Sequence, residues 1–167
     1  IARGLNYADA GELETALQRH RDIVSEEFSR LLASKRHKAK VSAYIDYWRG
    51  LPDTSNARQL SELGFNNSED LHLALQDFCR HSTVQSFNEK TRSRLDHVLP
   101  LILEAAAKSV APKSAMTRSL SLLHAIAKRT SYLALLEEKP AALHRLVDVV
   151  ARSAWLSERL VEHPLLL

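Results

Sequence analysis

Apolar residues recur along this chain at the spacing of a helix face. Leu71, Ala74, Leu75, Phe78 and Cys79 fall at i, i+3, i+4, i+7 and i+8, and Leu143, Leu146, Val147, Val150 and Ala151 repeat that spacing. Met116, Leu120, Leu123 and Ala127 make a third stripe, and Leu13, Leu17, Val24, Phe28 and Leu31 a fourth, within one long helix from about Asp9 to Leu32. Such a period builds helices with one buried face. Leu and Ala supply 49 of the 167 residues, while Gly appears four times and Pro five times. Both abundant residues lose little entropy in a helix, and so few turn formers cannot serve a β fold. The expectation is an all-α chain, an irregular bundle of short antiparallel helices with one long N-terminal helix and no sheet.

Punctuation agrees with the period. Asn67 or Ser68 can cap a helix leading to Leu71, with Glu69 and Asp70 placed for the helix dipole. Gly64 stands where a helix should stop, and Pro112 and Pro140 where first-turn prolines sit. Pro100 interrupts a run from Leu95 to Ala107 and predicts a kink or a break. Leu136-Glu137-Glu138-Lys139-Pro140 is echoed by Val161-Glu162-His163-Pro164, a helix ending just before the proline that starts the next. A looser echo pairs residues 4–18 with 64–76.

Residues 33–56 read as the least helical part. A basic run (Lys35, Arg36, His37, Lys38, Lys40) leads to Tyr44, Ile45, Tyr47 and Trp48, then to Gly50, Pro52, Asp53 and Ser55. The expectation is a connector holding one aromatic turn. It divides a helix over 1–32 from a helical domain over 57–167.

Composition and spacing exclude several classes. One Cys cannot build a disulfide scaffold or a Cys-based metal site. No run of 18 uncharged apolar residues is present to span a bilayer. There is no phosphate-cradling glycine loop, and no Asp-x-Asp or Asp-x-Glu pair of the kind that holds magnesium for nucleotidyl transfer. The eight histidines (20, 37, 72, 81, 97, 124, 144, 163) include no pair at i, i+3 or i+4, so they read as ordinary helix residues, with His20 and His144 facing solvent. Cys79 reads as a buried, inert thiol. Thus no catalytic, cofactor-binding or metal-ligating residue is assigned. A net charge of +3 is weak for a nucleic-acid binder, so Tyr44, Tyr47 and Trp48 read as plugs of a local hydrophobic gap. Arg129, Thr130, Ser131 and Tyr132 read as a helix–helix corner, with Arg129 free to pair with Glu137 or Glu138. The chain opens on Ile1 without a leader and closes on an apolar Leu165-Leu166-Leu167 run, which reads as a piece of a longer cytoplasmic protein.

The run Lys128-Arg129-Thr130-Ser131-Tyr132-Leu133-Ala134-Leu135-Leu136-Glu137, followed by Pro140-Ala141-Ala142-Leu143, Val149 to Ser153 and Leu160-Val161-Glu162-His163-Pro164-Leu165-Leu166-Leu167, resembles the middle of bacterial glutamine synthetase adenylyltransferase, the adenylyl-removing enzyme. Arg94-Leu95-Asp96 with Leu99-Pro100, and Leu63-Gly64-Phe65 with Glu69-Asp70-Leu71, look like earlier parts of the same region. The resemblance implies a helical regulatory connector between two nucleotidyltransferase domains. One of these transfers AMP from ATP, with magnesium, to glutamine synthetase, and the other removes it by phosphorolysis. It implies that residues 1–32 end the upstream catalytic domain and that PII signal protein and glutamine act through the central region. It carries over no catalytic residue, and with the charge and hydropathy above the expectation is no cofactor, no nucleic-acid partner and no membrane contact in these residues. The alternative is an independent helical scaffold that binds a peptide or partner helix.

Overall fold

A computed structural model describes residues 14, 15, 17–19, 21–25, 41–51, 53–66, 68–126 and 129–166. The chain divides into two compact units, Ile1–Ala39 and Lys40–Leu167. The described residues contain helices and turns and no strand.

The described part of the first unit is helical at 14–15, 17–19 and 21–25, where Gln18 Nε2 donates to Asp22 Oδ1 one turn later at 2.9 Å. The stripe expected to be buried here is open, with Leu17 49% and Val24 66% exposed. Leu13, Phe28 and Leu31 lie outside the described residues, as do most of the 4–18 echo and the basic run over 35–40.

The second unit begins with a helix over 41–50, α1. It is followed by α2 (Ala57–Glu62), α3 (Ser68–Arg80), the single turn α4 (Ser82–Gln85) and α5 (Glu89–Ala107). Then come α6 (Pro112–Ile126), α7 (Thr130–Glu138), α8 (Pro140–Arg152), α9 (Ala154–Glu162) and a closing 3₁₀ turn at Pro164–Leu166. The core lies along α5, which packs against α6, α7 and α8, while α3 and α9 pack on α6. The predicted stripes are the buried faces: Leu71, Leu75, Phe78 and Cys79 on α3, Met116, Leu120 and Leu123 on α6, and Leu143, Val147, Val150 and Ala151 on α8.

One sequence expectation is corrected and another is narrowed. The connector expected over 33–56 contains α1, whose Tyr44, Tyr47 and Trp48 are buried together with Leu51. The aromatics stand at i, i+3 and i+4, a helix face that short flanking signals obscured. Of the kink or break expected at Pro100, the break is absent: α5 runs through it from Glu89 to Ala107. The lost ladder bond and ring clash cost about 3 kcal/mol, which the burial of Leu95, Val98, Leu99, Ile102 and Leu103, at roughly 1.5–3 kcal/mol each, outweighs.

The punctuation was legible. Gly64 has φ 106°, which L side chains rarely adopt. It closes α2 in a Schellman motif, where Phe65 N–H donates to the Leu60 carbonyl and Gly64 N–H to the Ser61 carbonyl, both at 3.1 Å. Pro112 opens α6 and Pro140 opens α8. Asn56 caps α2 in a reciprocal box with Gln59, and Asn88 caps α5 through Thr91 N–H. Ser68 is the first residue of α3, with Glu69 and Asp70 in its first turn, and Asn67 lies outside the described residues. The proline echo is a repeated joint. Lys139 (φ −124°, ψ 69°) and His163 (φ −127°, ψ 71°) each form a one-residue link before a proline. A following proline disfavours the α region, so both residues leave it.

Gly64→Ala is expected to destabilise the chain by about 1–2 kcal/mol, with Gly64→Asn less harmful, in urea unfolding followed by circular dichroism. The nearest atom to an added Cβ is Ala107 Cβ at 3.9 Å, so the loss reports backbone strain and not a clash. Trp48→Ala is expected to lower stability by about 3–5 kcal/mol. A neutral result would return α1 to the status of a linker.

Candidate functional site

Polar side chains of the second unit gather in three places. The first ties α1 to the core. Tyr44 Oη donates to the Leu63 carbonyl at 3.1 Å, Tyr47 Oη shares a 2.7 Å hydrogen bond with His72 Nδ1, and Trp48 Nε1 donates to Asp96 Oδ1 at 2.8 Å. Ser55 Oγ donates to the Tyr47 carbonyl at 2.6 Å. Burial pushes the phenols of Tyr44 and Tyr47 above their ordinary range, Tyr44 further under the charge of Glu104. Glu104 is only 5% exposed, and Lys108 Nζ reaches its Oε1 at 2.6 Å from one turn along α5. With their rings buried and their polar atoms engaged, these aromatics offer no faces for stacking on bases. They are part of the main core cluster, presented by a helix instead of by a solvated linker plugging a local gap.

Cys79 lies in the same region. Burial pushes its thiol up to about 12, so at neutral pH the nucleophilic thiolate is scarce.

The second place is the corner between α6 and α7. Arg129 N–H donates to the Ile126 carbonyl at 2.8 Å, and Tyr132 N–H to the Arg129 carbonyl at 3.1 Å. The corner expected at 129–132 is present, but its ion pair is different. Glu137 is held by α5, with His97 Nδ1 at 2.8 Å and Arg94 Nε at 3.6 Å, instead of by Arg129. Arg94 Nη1 also donates to the Thr130 carbonyl at 3.1 Å, so one guanidinium touches both ends of α7. Arg118 does similar work for α8, donating to the carbonyls of Val150 at 2.7 Å and Ala151 at 3.0 Å near that helix's C-terminus.

The third place escaped the sequence. His81 Nε2 and His124 Nε2 lie 3.1 Å apart, with ring planes at 84° and Phe78 edge-on to His124. They sit on an open recess of about 530 Å³ lined also by Asp77, Thr117, Leu120 and Ser121. A search for histidines one turn apart cannot find a pair 43 residues apart. His144 is half-buried instead of open, and His20 lies outside the described residues. Among the described residues no group of three or more His, Cys, Asp or Glu side chains is placed to hold a metal ion. No described helix is long and apolar enough to cross a membrane.

The whole chain aligns with curated relatives. It is 50% identical over 167 residues to a bifunctional glutamine synthetase adenylyltransferase/adenylyl-removing enzyme of Stenotrophomonas maltophilia (strain K279a), covering all of this chain and 18% of that protein. A protein of the same name from Xanthomonas axonopodis pv. citri (strain 306) is 47% identical over the same length and share. One from Hahella chejuensis (strain KCTC 2396) is 30% identical over 172 residues, again 18% of its length. The chain thus spans under a fifth of the proteins it matches. No protein-family model matches it, and no solved structure does.

Two outcomes are expected. A thiol reagent at pH 7.5 should label Cys79 slowly in the folded chain and fast in denaturant; equal rates would show an open thiol. Burial holds His124 below its ordinary value, with help from His81, and burial alone holds His72 below its own. A depressed histidine binds more protons unfolded than folded, so its contribution to stability is whole above the unfolded value of 6.5 and is lost as pH falls through the folded value. The thermal midpoint should therefore drop from pH 7.5 to pH 5. A midpoint that rises on acidification would reverse the sign.

Proposed function

We propose that this chain is a non-catalytic helical connector within a bifunctional enzyme that adds AMP to glutamine synthetase and removes it, in nitrogen regulation. The observation that carries this reading is the full-length match, at up to 50% identity, to an 18% share of proteins named for both activities. Two further features support it. The sequence holds no Asp-x-Asp or Asp-x-Glu pair for magnesium, so the ATP and magnesium chemistry is assigned to flanking nucleotidyltransferase domains. And the second unit is a packed helical body whose last four elements are joined by single residues at Lys139, Ser153 and His163.

On this reading the first 32 residues end the upstream catalytic domain, and the central domain begins at about Lys40, where the second compact unit starts, instead of at 57. The connector between them shrinks to the residues ahead of α1. Its physical task is to hold two active sites in a fixed relation and to let partner binding bias that relation. Such a bias is a coupling free energy of about 1–3 kcal/mol. The partners are the flanking domains, glutamine synthetase and PII signal protein, and the location is the cytoplasm. No cofactor, nucleic acid or membrane is assigned to these residues.

Incubated with glutamine synthetase, ATP and magnesium, the 167-residue chain should leave the synthetase free of AMP by mass spectrometry. AMP transfer by this chain would overturn the assignment. Calorimetry against PII protein, with and without glutamine, tests the docking part. Saturable heat supports it, and silence in both conditions removes it while leaving the connector role in place.

A further inference from the structure

The histidine pair fixes its own protons. His81 is the N-cap of α4, and its Nδ1 accepts from the backbone N–H of Thr83 at 3.2 Å. A backbone N–H only donates, so Nδ1 carries a lone pair and neutral His81 keeps its proton on Nε2. That N–H meets His124 Nε2 at 3.1 Å. Two N–H groups cannot face one another, so His124 is unprotonated at Nε2 and carries its proton on Nδ1. The hydrogen bonds therefore run one way, from Thr83 through His81 to His124, and both rings are neutral.

A further proton has two places to go, and each breaks a bond. On His81 Nδ1 it turns the cap acceptor into a donor facing Thr83 N–H. On His124 Nε2 it sets donor against donor. The other partnered histidines differ. His97 faces the carboxylate of Glu137, and the hydroxyl of Tyr47 can accept from a protonated His72 Nδ1 by turning its own hydrogen away. The charged groups around the pair give limited relief. From α3 there are Asp77, which lines the recess, and Arg80, which precedes His81 in sequence. The short α4 carries no charged residue. On α6, Lys113 is drawn to Asp70 and Arg118 to the end of α8.

We propose that the His81–His124 contact is a proton-released latch that ties the α3–α4 corner to α6. Closed, it caps α4, which in turn buries Val84 and holds Gln85 Nε2 on the Cys79 carbonyl at 2.7 Å. One proton from solvent opens either the cap or the interhelical bond.

The experiment is NMR on the 167-residue chain. At pH 7.5, ring ¹⁵N shifts should show His81 as the Nε2–H tautomer and His124 as the Nδ1–H tautomer. Between pH 7.5 and 5.5, after correction for intrinsic exchange, the Thr83 amide should lose about tenfold in protection relative to Leu99 in α5. His81→Asn keeps a cap acceptor that does not titrate, and its position-83 amide should hold its protection. Opposite tautomers, or a Thr83 amide that is indifferent to pH in the wild type, would overturn the latch. So would stoichiometric capture of both rings by Zn²⁺ alone at pH 7.5, which would make the pair a metal site.

Discussion

Ten of the nineteen residues of α5 are buried, and they are spread around the helix instead of along one stripe. A helix apolar over so much of its surface is stable only when other helices surround it. That requirement organises the second unit. α6, α7 and α8 pack on α5, and Trp48 of α1 reaches it through Asp96. It also explains why a proline is tolerated at its middle. Pro100 is itself buried, so opening the helix there would expose the leucines and valine on either side.

The polar bonds of the unit serve the same end. Helix termini leave carbonyls and N–H groups without partners inside the helix. Here a cation from a neighbouring helix supplies two of them: Arg118 of α6 donates to the Val150 and Ala151 carbonyls in the last turn of α8. Lys113 and Asp70 link α6 to α3 at 2.6 Å, but both are largely exposed, so that pair contributes little beyond orientation. Tyr44, Tyr47 and Trp48 each spend a polar atom on a partner at least 19 residues away, which specifies where α1 docks.

Local rules were readable from sequence because they act within a few residues. The stripes of α3, α6 and α8, the stop at Gly64, and the starts at Pro112 and Pro140 all depend on neighbours one turn away. α1 was missed because its basic approach and the Gly50 and Pro52 exit look like linker, while its apolar face is aromatic instead of Leu-rich. At Pro100 the sequence left a kink and a break open, because the packing energy that keeps the helix continuous comes from other helices. The actual partners of Glu137 were not legible for a related reason. Arg129 is near in sequence, but Arg94 and His97 are presented by α5, which packs on α7. No local pattern joins position 81 to position 124.

The C-terminal half has a mechanical property that follows from its joints. α7, α8, α9 and the closing turn are separated by one residue each, at Lys139, Ser153 and His163, with φ between −127° and −124° and ψ between 69° and 110°. A one-residue joint leaves only two soft dihedrals between rigid rods. At Lys139 and His163 the following proline narrows even these. Rods linked this way cannot slide independently, so a displacement imposed on one is passed to the next as rotation. A long flexible linker would absorb the same displacement as entropy. For an element proposed to relate two active sites, stiff joints add a covalent route from α7 to α9 beside the direct packing of α9 on α6.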